Sequence, residues 1–279
     1  MIDYNLALRL SDKYKVSEDT IEKDYFIELL LDRIAGNDFL RTQLIFRGGT
    51  ALKKIYFPEF RYSEDLDFII HHGNKSTFYE TAFTSVVDET KKVLPIDLNI
   101  SEVLRPQKGH IQLLIAYNII PEIQMDKKLK IDMIEDIIVL SSKERKIQFT
   151  FDDYKGQTRQ LKTYDLESIA AEKILRILDV VNEPRDLWDL LFLFKSNISI
   201  RTVRESFYEK SGADIEVSSL LRAIKHPDYK RLWNIRLKNQ IPELIDFDFA
   251  VNELVTLIKD FFMPFTERSK NNHENTDRL

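Results

Sequence analysis

Two short segments of the sequence carry residue types that could bind and activate a phosphate ester. The first is the Gly48-Gly49-Thr50 turn, which follows an apolar stretch ending at Phe46. The second contains Asp65 and Asp67, which stand one residue apart among apolar residues. A glycine turn lets backbone N–H groups approach phosphate closely, and residues i and i+2 of a strand share a face. Two carboxylates on one face suit Mg²⁺ carried by a nucleoside triphosphate, so the two segments indicate nucleotidyl transfer.

A third carboxylate on a neighbouring strand would complete such a site, because metal-assisted phosphoryl transfer commonly uses several acidic ligands. Asp132 is the best candidate, as a metal ligand or as the base that activates the incoming hydroxyl, since it stands between Ile131 and Met133. Asp97 is the competitor. A bare Asp-x-Asp pair is more often the solvated face of an edge strand, but the glycine turn upstream favours a metal site.

Further side chains near the turn are candidates for binding the phosphates. The hydroxyls of Thr50 and Ser63 and the ammonium of Lys53 lie close to the glycines in sequence. In the predicted reaction an acceptor hydroxyl attacks the α-phosphorus and pyrophosphate leaves, while cations stabilise its charge.

A later helical segment carries a second group of candidates. Lys173 falls on the apolar face of a predicted helix over 165–181, where a lysine either extends along the surface or points into a cleft. We predict the cleft, from which Lys173 would reach the triphosphate. In the next helix, 184–195, Asp186 lies on the side of Leu190 and is a functional candidate. Asp189 is a weaker candidate, because an ordinary surface ion pair with Arg185 explains it.

The pattern of elements places these residues in two domains. Helices are predicted first, then strands, then helices again, which is typical of an α/β (α+β) catalytic domain with a mixed sheet and a helical C-terminal domain. The predicted division is residues 1–163, residues 164–265 and a disordered tail over 266–279. The predicted early elements are helices over 3–14, 17–36, 50–56 and 76–93 and strands over 43–46 and 66–71. Later strands are predicted over 98–103, 110–118, 129–134 and 147–151, and later helices over 165–181, 184–195, 199–210, 214–225, 228–239 and 247–262.

Composition limits the remaining function classes. The net charge of −5 argues against a protein that simply coats nucleic acid. There is no cysteine, no run of eighteen apolar residues and no leader at Met1, so we expect a cytoplasmic protein without a membrane span. The sequence contains no zinc-hydrolase, serine-hydrolase, P-loop or dinucleotide-binding motif.

Four segments together resemble one known family, the AbiEii/AbiGii-type toxin nucleotidyltransferases of type IV toxin–antitoxin systems. They are Ile21-Glu22-Lys23-Asp24-Tyr25, Phe46 to Leu52, Arg61 to Phe68, and Glu167 to Leu190. The resemblance implies a polymerase-β-like nucleotidyltransferase core, Mg²⁺ as cofactor, an NTP as substrate, the 3′ end of tRNA as acceptor and a cognate antitoxin as partner.

Carried over by motif, the resemblance also assigns roles to particular residues. Gly48, Gly49 and Ser63 match the phosphate-binding part of the first motif, and Asp65 and Asp67 match its metal ligands. Lys173 matches the lysine of the third motif, and Asp186 or Asp189 the acid of the fourth. The first motif often reads Gly-Ser, so in this chain a hydroxyl contact must come from Thr50 or Ser63.

Two alternatives remain open at this stage. The same chemistry could act on a small molecule or on a protein hydroxyl. A non-catalytic protein that binds nucleotide or docks an antitoxin is the other class, although such a protein would have no need for the acidic residues.

Overall fold

The computed structural model describes residues 1–71, 75–124, 126–179 and 183–274, with the backbone alone after residue 263. The chain forms two compact units. The first comprises Met1–Asp165 and the short segment Asn239–Pro242. The second comprises Leu166–Lys238 and the residues after Pro242. The division therefore lies two residues from the predicted one, and the return of 239–242 to the first unit was not predicted.

The first unit is built on a mixed sheet flanked by helices. Its helices are α1 (Tyr4–Tyr14), α2 (Glu18–Gly36), α3 (Asp38–Gln43), α4 (Gly48–Ala51), which continues as a π-helical turn (Leu52–Tyr56), and α5 (Ser76–Val93). Its strands are β1 (Leu44–Arg47), β2 (Asp65–Ile70), β3 (Asp97–Leu104), β4 (His110–Asn118), β5 (Lys128–Glu135), β6 (Ser142–Lys146) and β7 (Gln160–Tyr164).

The sheet places strands distant in sequence beside each other. Within the described residues seven strands pair in the order β3-β4-β5-β2-β1-β7-β6. β2 is parallel to β5, β1 is parallel to β7, and the other neighbours are antiparallel. On β2, Leu66 and Phe68 are fully buried, whereas Asp65 and Asp67 are on the opposite, partly exposed face. The predicted α/β fold with a mixed sheet is confirmed.

One predicted strand is wrong. Residues 147–151 do not form a strand, and the sheet uses β6 and β7 on either side of them. The amide of Gln148 donates to the Lys54 carbonyl, and the amide of Thr150 donates to the Glu28 carboxylate. The segment therefore satisfies its backbone with helices of the same unit, although its apolar alternation is that of a strand.

Helix α2 carries buried acidic residues that hold this unit together. Glu22 accepts hydrogen bonds from the amides of Ile119 and Ile120 and from the Lys127 ammonium. Asp24 and Glu28 both bind the Lys54 ammonium at 2.8 Å. Buried charges are tolerated when each is paired and hydrogen-bonded. The Ile21-Glu22-Lys23-Asp24-Tyr25 segment therefore serves the fold, by joining α2 to the β4–β5 connection and to the helix after the glycine turn.

The second unit is helical. It contains α6 (Leu166–Asp179), α7 (Pro184–Lys195), α8 (Ile200–Ser211), α9 (Val217–Ala223), α10 (Pro227–Leu237) and α11 (Phe247–Glu274). Pro184 begins α7, where a missing N–H costs nothing, and the Glu183 side chain accepts from the Arg185 amide. The last helix continues beyond its predicted end at 262. The end of the predicted helix 165–181 and residues 275–279 of the predicted tail lie outside the described residues.

Candidate active site

The glycine turn lies directly against the aspartates of β2. Gly48 has a φ of 78°, a left-handed conformation that favours glycine. A Cβ atom at Gly48 would lie 2.5 Å from Oδ2 of Asp67. The turn can therefore approach the carboxylate this closely only because residue 48 has no side chain.

The second glycine makes room for a buried cation. A Cβ atom at Gly49 would lie 2.5 Å from Nη2 of Arg61 and 3.4 Å from Oγ of Ser63. Arg61 is only 5% exposed, and its Nη1 donates to the backbone oxygen of Tyr62 and to Oε1 of Gln240. The predicted phosphate-binding residues Gly48, Gly49 and Ser63 thus lie together, beside a guanidinium that the sequence did not single out.

Strand register brings the predicted carboxylates to one place. On the parallel pair β2–β5, Asp67 is directly opposite Asp132, and Asp65 is opposite Lys130. The Lys130 ammonium lies 3.9 Å from Oδ2 of Asp65 and 3.5 Å from Oδ2 of Asp132. The competitor Asp97 is exposed at the start of β3, an outer strand that β4 separates from β5. Of the two candidates for the third carboxylate, Asp132 is therefore the one beside Asp67.

Asp132 has further partners on β4. His110 Nε2 makes a very short contact with Oδ1 of Asp132, and Gln112 Nε2 donates to its Oδ2 at 3.2 Å. Sequence reasoning missed His110, Gln112 and Lys130. Alternation along a strand puts His110 on the same face as Gln112 and Lys130 on the same face as Asp132, but only the strand order shows that these faces adjoin.

The donor set fits a metal that arrives with a nucleotide. Among the described residues no three His, Asp or Glu side chains are arranged to hold a metal ion. Magnesium is commonly bound by one or two carboxylates together with substrate phosphates, rather than by a complete protein cage. Asp65 and Asp67 supply such a pair, whereas the carboxylate of Asp132 is directed to His110 and Gln112.

Two predicted phosphate-binding side chains have other partners. The Thr50 hydroxyl donates to the backbone oxygen of Asp65, so it joins the turn to β2. The Lys53 ammonium donates to the backbone oxygens of Pro58 and Phe60 and lies 4.2 Å from the centre of the Tyr62 ring. Burial lowers the pKa of Lys53 to about 8. The Ser63 hydroxyl is therefore the side-chain oxygen that remains for a phosphate.

Lys173, Asp186 and Asp189 form one cluster in the second unit. The Lys173 ammonium lies 2.6 Å from Oδ1 of Asp186 and 2.8 Å from Oδ2 of Asp189, and all three residues are buried. Arg176 also binds Asp186, at 2.9 Å. Burial by itself would raise the pKa of Asp186, but Lys173 and Arg176 hold it below its usual value. The charge of Lys173, predicted to be directed at a triphosphate, is therefore balanced by two carboxylates of its own unit.

Asp189 is not at the protein surface, where an ordinary ion pair with Arg185 would explain it. Arg185 binds Glu183 at 2.9 Å, and Asp189 is fully buried against Lys173. The i, i+4 spacing allowed the pair on geometry alone, but Asp189 is on the buried side of α7.

Comparison with known proteins identifies the family of the chain. Residues 29–253 match the family of the nucleotidyl transferase AbiEii toxin, type IV toxin–antitoxin system. The chain belongs to this family. It is a nucleotidyltransferase of the AbiEii toxin family, as the four segments in its sequence indicated.

Solved structures show the same fold. MenT4, a nucleotidyltransferase toxin from Mycobacterium tuberculosis, superposes with a TM-score of 0.66 at 17% identity, covering 92% of this chain and 89% of MenT4. A candidate nucleotidyltransferase from H. pylori gives a TM-score of 0.58 at 17% identity, covering 90% of this chain and 98% of its own. No curated protein matches the sequence. None of the described helices combines the length and apolar character needed to cross a membrane.

Proposed function

We propose that this AbiEii-family protein transfers a nucleoside monophosphate from an NTP to a hydroxyl at the 3′ end of tRNA. The observation that carries the proposal is the register of β2 and β5. It puts Asp67 opposite Asp132, while Gly48 brings the glycine turn against Asp67 from the other side. A glycine turn and acidic residues of two adjacent strands are thus neighbours, and this supports phosphoryl transfer, which uses phosphate-binding groups together with carboxylates.

The residues of the first unit have different roles in this reaction. The backbone amides of the glycine turn and the Ser63 hydroxyl bind phosphate oxygens. The acceptor oxygen forms a bond to the α-phosphorus as the bond to the β-phosphate oxygen breaks, and pyrophosphate leaves. Asp132 takes the proton of the acceptor hydroxyl, and Lys130, 3.5 Å from Asp132, offsets negative charge at the reaction centre.

The family and its solved relatives supply the context for the proposal. Asp65 and Asp67 would hold Mg²⁺, which when bound would offset the charge of the triphosphate. The family description names a type IV toxin–antitoxin system, and MenT4 is named as a nucleotidyltransferase toxin. On that basis we propose that the chain acts in the cytoplasm and that a cognate antitoxin restrains it.

The decisive experiment is transfer of label from each NTP, radiolabelled at the α-phosphate, to bulk tRNA in the presence of Mg²⁺. Wild-type protein is expected to label tRNA with at least one NTP. The Asp65→Asn/Asp67→Asn variant should give no label, because it removes both carboxylates without changing their size. Asp97→Asn, an exposed aspartate of the same sheet, is the matched control and should label tRNA normally.

Three other outcomes would redirect the proposal. Label on a small molecule or on protein, and none on tRNA, would replace the acceptor but keep the chemistry. Transfer without added Mg²⁺, after treatment with a chelator, would show that the reaction does not require the metal. Absence of transfer to any acceptor, with nucleotide still bound, would favour a non-catalytic binding protein.

A further inference from the structure

We propose that Arg61 and Gln240 hold the glycine turn in the shape that binds the phosphates of the nucleotide. Both are positioning residues, and the inference rests on the proposed function, because it concerns the same site. Gln240 belongs to the short segment that joins the first unit after most of the second has been completed. A residue late in the chain would thereby determine how well an early motif binds nucleotide.

The first step is the contact between Arg61 and the turn. Nη2 of Arg61 occupies the space that a side chain at residue 49 would fill, since a Cβ there would be 2.5 Å away. The same point is 3.4 Å from Oγ of Ser63. The guanidinium therefore packs directly against the turn, and its position limits the shape that the turn can adopt.

The second step is the contact between Arg61 and Gln240. Nη1 of Arg61 donates to Oε1 of Gln240 at 2.8 Å and to the backbone oxygen of Tyr62 at 3.0 Å. The amide of Tyr62 in turn donates to the backbone oxygen of Gln240 at 2.9 Å. Gln240 is only 2% exposed, so water cannot readily replace it. The backbone oxygen of Gln240 thus fixes the chain at Tyr62, shortly before β2 begins at Asp65. Its side-chain oxygen fixes the plane of the Arg61 guanidinium.

The third step is the geometry of the guanidinium, which links Gln240 to Gly49. The guanidinium is a planar fork, so fixing one nitrogen fixes the direction of the other. The bond from Nη1 to Gln240 therefore fixes the direction of Nη2, the atom that lies against Gly49.

The test measures binding of inorganic tripolyphosphate and of a non-hydrolysable NTP by calorimetry, with the full chain. Gln240→Leu removes the acceptor, and the dissociation constant for both ligands should rise about ten- to hundredfold, as expected for one hydrogen bond to a charged group. Gln240→Asn keeps an amide that is one methylene too short and should give an intermediate value. Asn239→Ala, an exposed neighbour, is the control and should bind as wild type does.

A second set of variants distinguishes the loss of guanidinium orientation from the loss of folding. Arg61→Lys keeps the charge but loses the fork, so it should weaken tripolyphosphate binding to a similar degree as Gln240→Leu. In turnover Gln240→Leu should raise the KM for NTP while kcat at saturation changes little, because the chemical groups remain in place. Thermal unfolding of each variant shows whether it is folded under the conditions of the assay.

The possible results distinguish this inference from the proposed function. Tripolyphosphate binding that is equal in wild type, Gln240→Leu and Arg61→Lys would overturn the inference, even if wild type transfers nucleotide. Weaker binding by both variants supports it, even if no acceptor is found. If wild type binds neither tripolyphosphate nor nucleotide, the inference and the proposed function both fail.

Discussion

Gly48 is the residue at which the two early motifs meet. It combines a left-handed backbone with a distance of 2.5 Å between its missing Cβ and Oδ2 of Asp67. We predict that Gly48→Ala lowers nucleotidyl transfer at least about a hundredfold, because misplacing a catalytic group by about 1 Å has that effect. The measurement is the initial rate of label transfer. Backbone strain should add a loss of stability of roughly 1–2 kcal/mol.

Gly156 provides a matched control for that substitution. Its φ is 91°, but a Cβ there would meet no atom within 4 Å. Gly156→Ala therefore carries a comparable backbone strain without a contact, and it should lose stability while transferring label at the wild-type rate. Equal losses of activity in the two alanine variants would show that strain alone, rather than displacement of Asp67, is responsible.

Lys130 is a cation that the chain itself places among the carboxylates. Its ammonium lies within 4 Å of Asp65 and Asp132, so it competes with any added cation for the same negative charge. We predict that Lys130→Met tightens binding of Mn²⁺ about two- to fivefold, the range expected for a partly exposed ion pair. The measurement is paramagnetic resonance of free Mn²⁺ without nucleotide. Lys128→Met, on the same face of β5, should leave the affinity unchanged, and weaker binding by Lys130→Met would contradict the prediction.

At the scale of elements, α2 depends on buried charge. Lys54 is 1% exposed and is bound by Asp24 and Glu28, and Glu28 also accepts from the amides of Thr150 and Phe151. We predict that Lys54→Met destabilises the protein by about 3–5 kcal/mol, because it leaves two carboxylates buried without their cation. Urea unfolding measures the loss. Lys91→Met, an exposed residue of α5, is expected to change stability by less than about 0.5 kcal/mol.

The pair α6–α7 depends on a cluster that should respond to acid. The pKa of Asp186 is held below its usual value by Lys173 and Arg176, against the effect of burial. A carboxylate with a lowered pKa in the folded state stabilises the protein above its unfolded pKa near 3.8, and that contribution is lost as pH falls through the folded value.

We therefore predict that Asp186→Asn is less stable than wild type by a constant amount at neutral pH, and that the difference shrinks below about pH 4. Unfolding by urea at a series of pH values measures this. Asp214→Asn, which removes an exposed carboxylate of the same unit, should show a much smaller difference at every pH. A difference for Asp186→Asn that persisted unchanged to the lowest pH would mean that the ionised carboxylate is not what stabilises the cluster.

The sequence allowed prediction of the features that local chemistry determines. The glycine turn, the strand with Asp65 and Asp67, and the strand with Asp132 were found because each has a short, regular pattern. Strand β6 was missed because Ser142 to Lys146 has no apolar alternation, as befits an outer strand whose side chains are solvated. The pairing of Asp132 with His110 depends on strand order, which a local pattern does not contain.

At the scale of the whole molecule, the chain returns to its first unit after α10. Gln240 lies 179 residues after Arg61, and no spacing rule connects them. The segment is attached by several bonds, since the Tyr62 amide donates to Gln240 and the Thr20 hydroxyl donates to the Asn239 backbone oxygen at 3.2 Å. The site in the first unit is therefore completed only when residues 239–242 have been synthesised.

This connection predicts a pattern of hydrogen exchange. Nucleotide binding should slow amide exchange in residues 44–70, which contain the turn and β2, because a ligand that binds only the folded state suppresses local opening. It should also slow exchange in residues 239–242, because the bonds from Tyr62 and Arg61 to Gln240 open together with the turn. Helix α8 has no part in the site and should exchange equally with and without nucleotide. In Gln240→Leu the protection of 239–242 should be reduced even at saturating nucleotide. Protection confined to residues 44–70 in wild type would show that residues 239–242 and the turn open independently. The nucleotide site would then form without a contribution from residues 239–242.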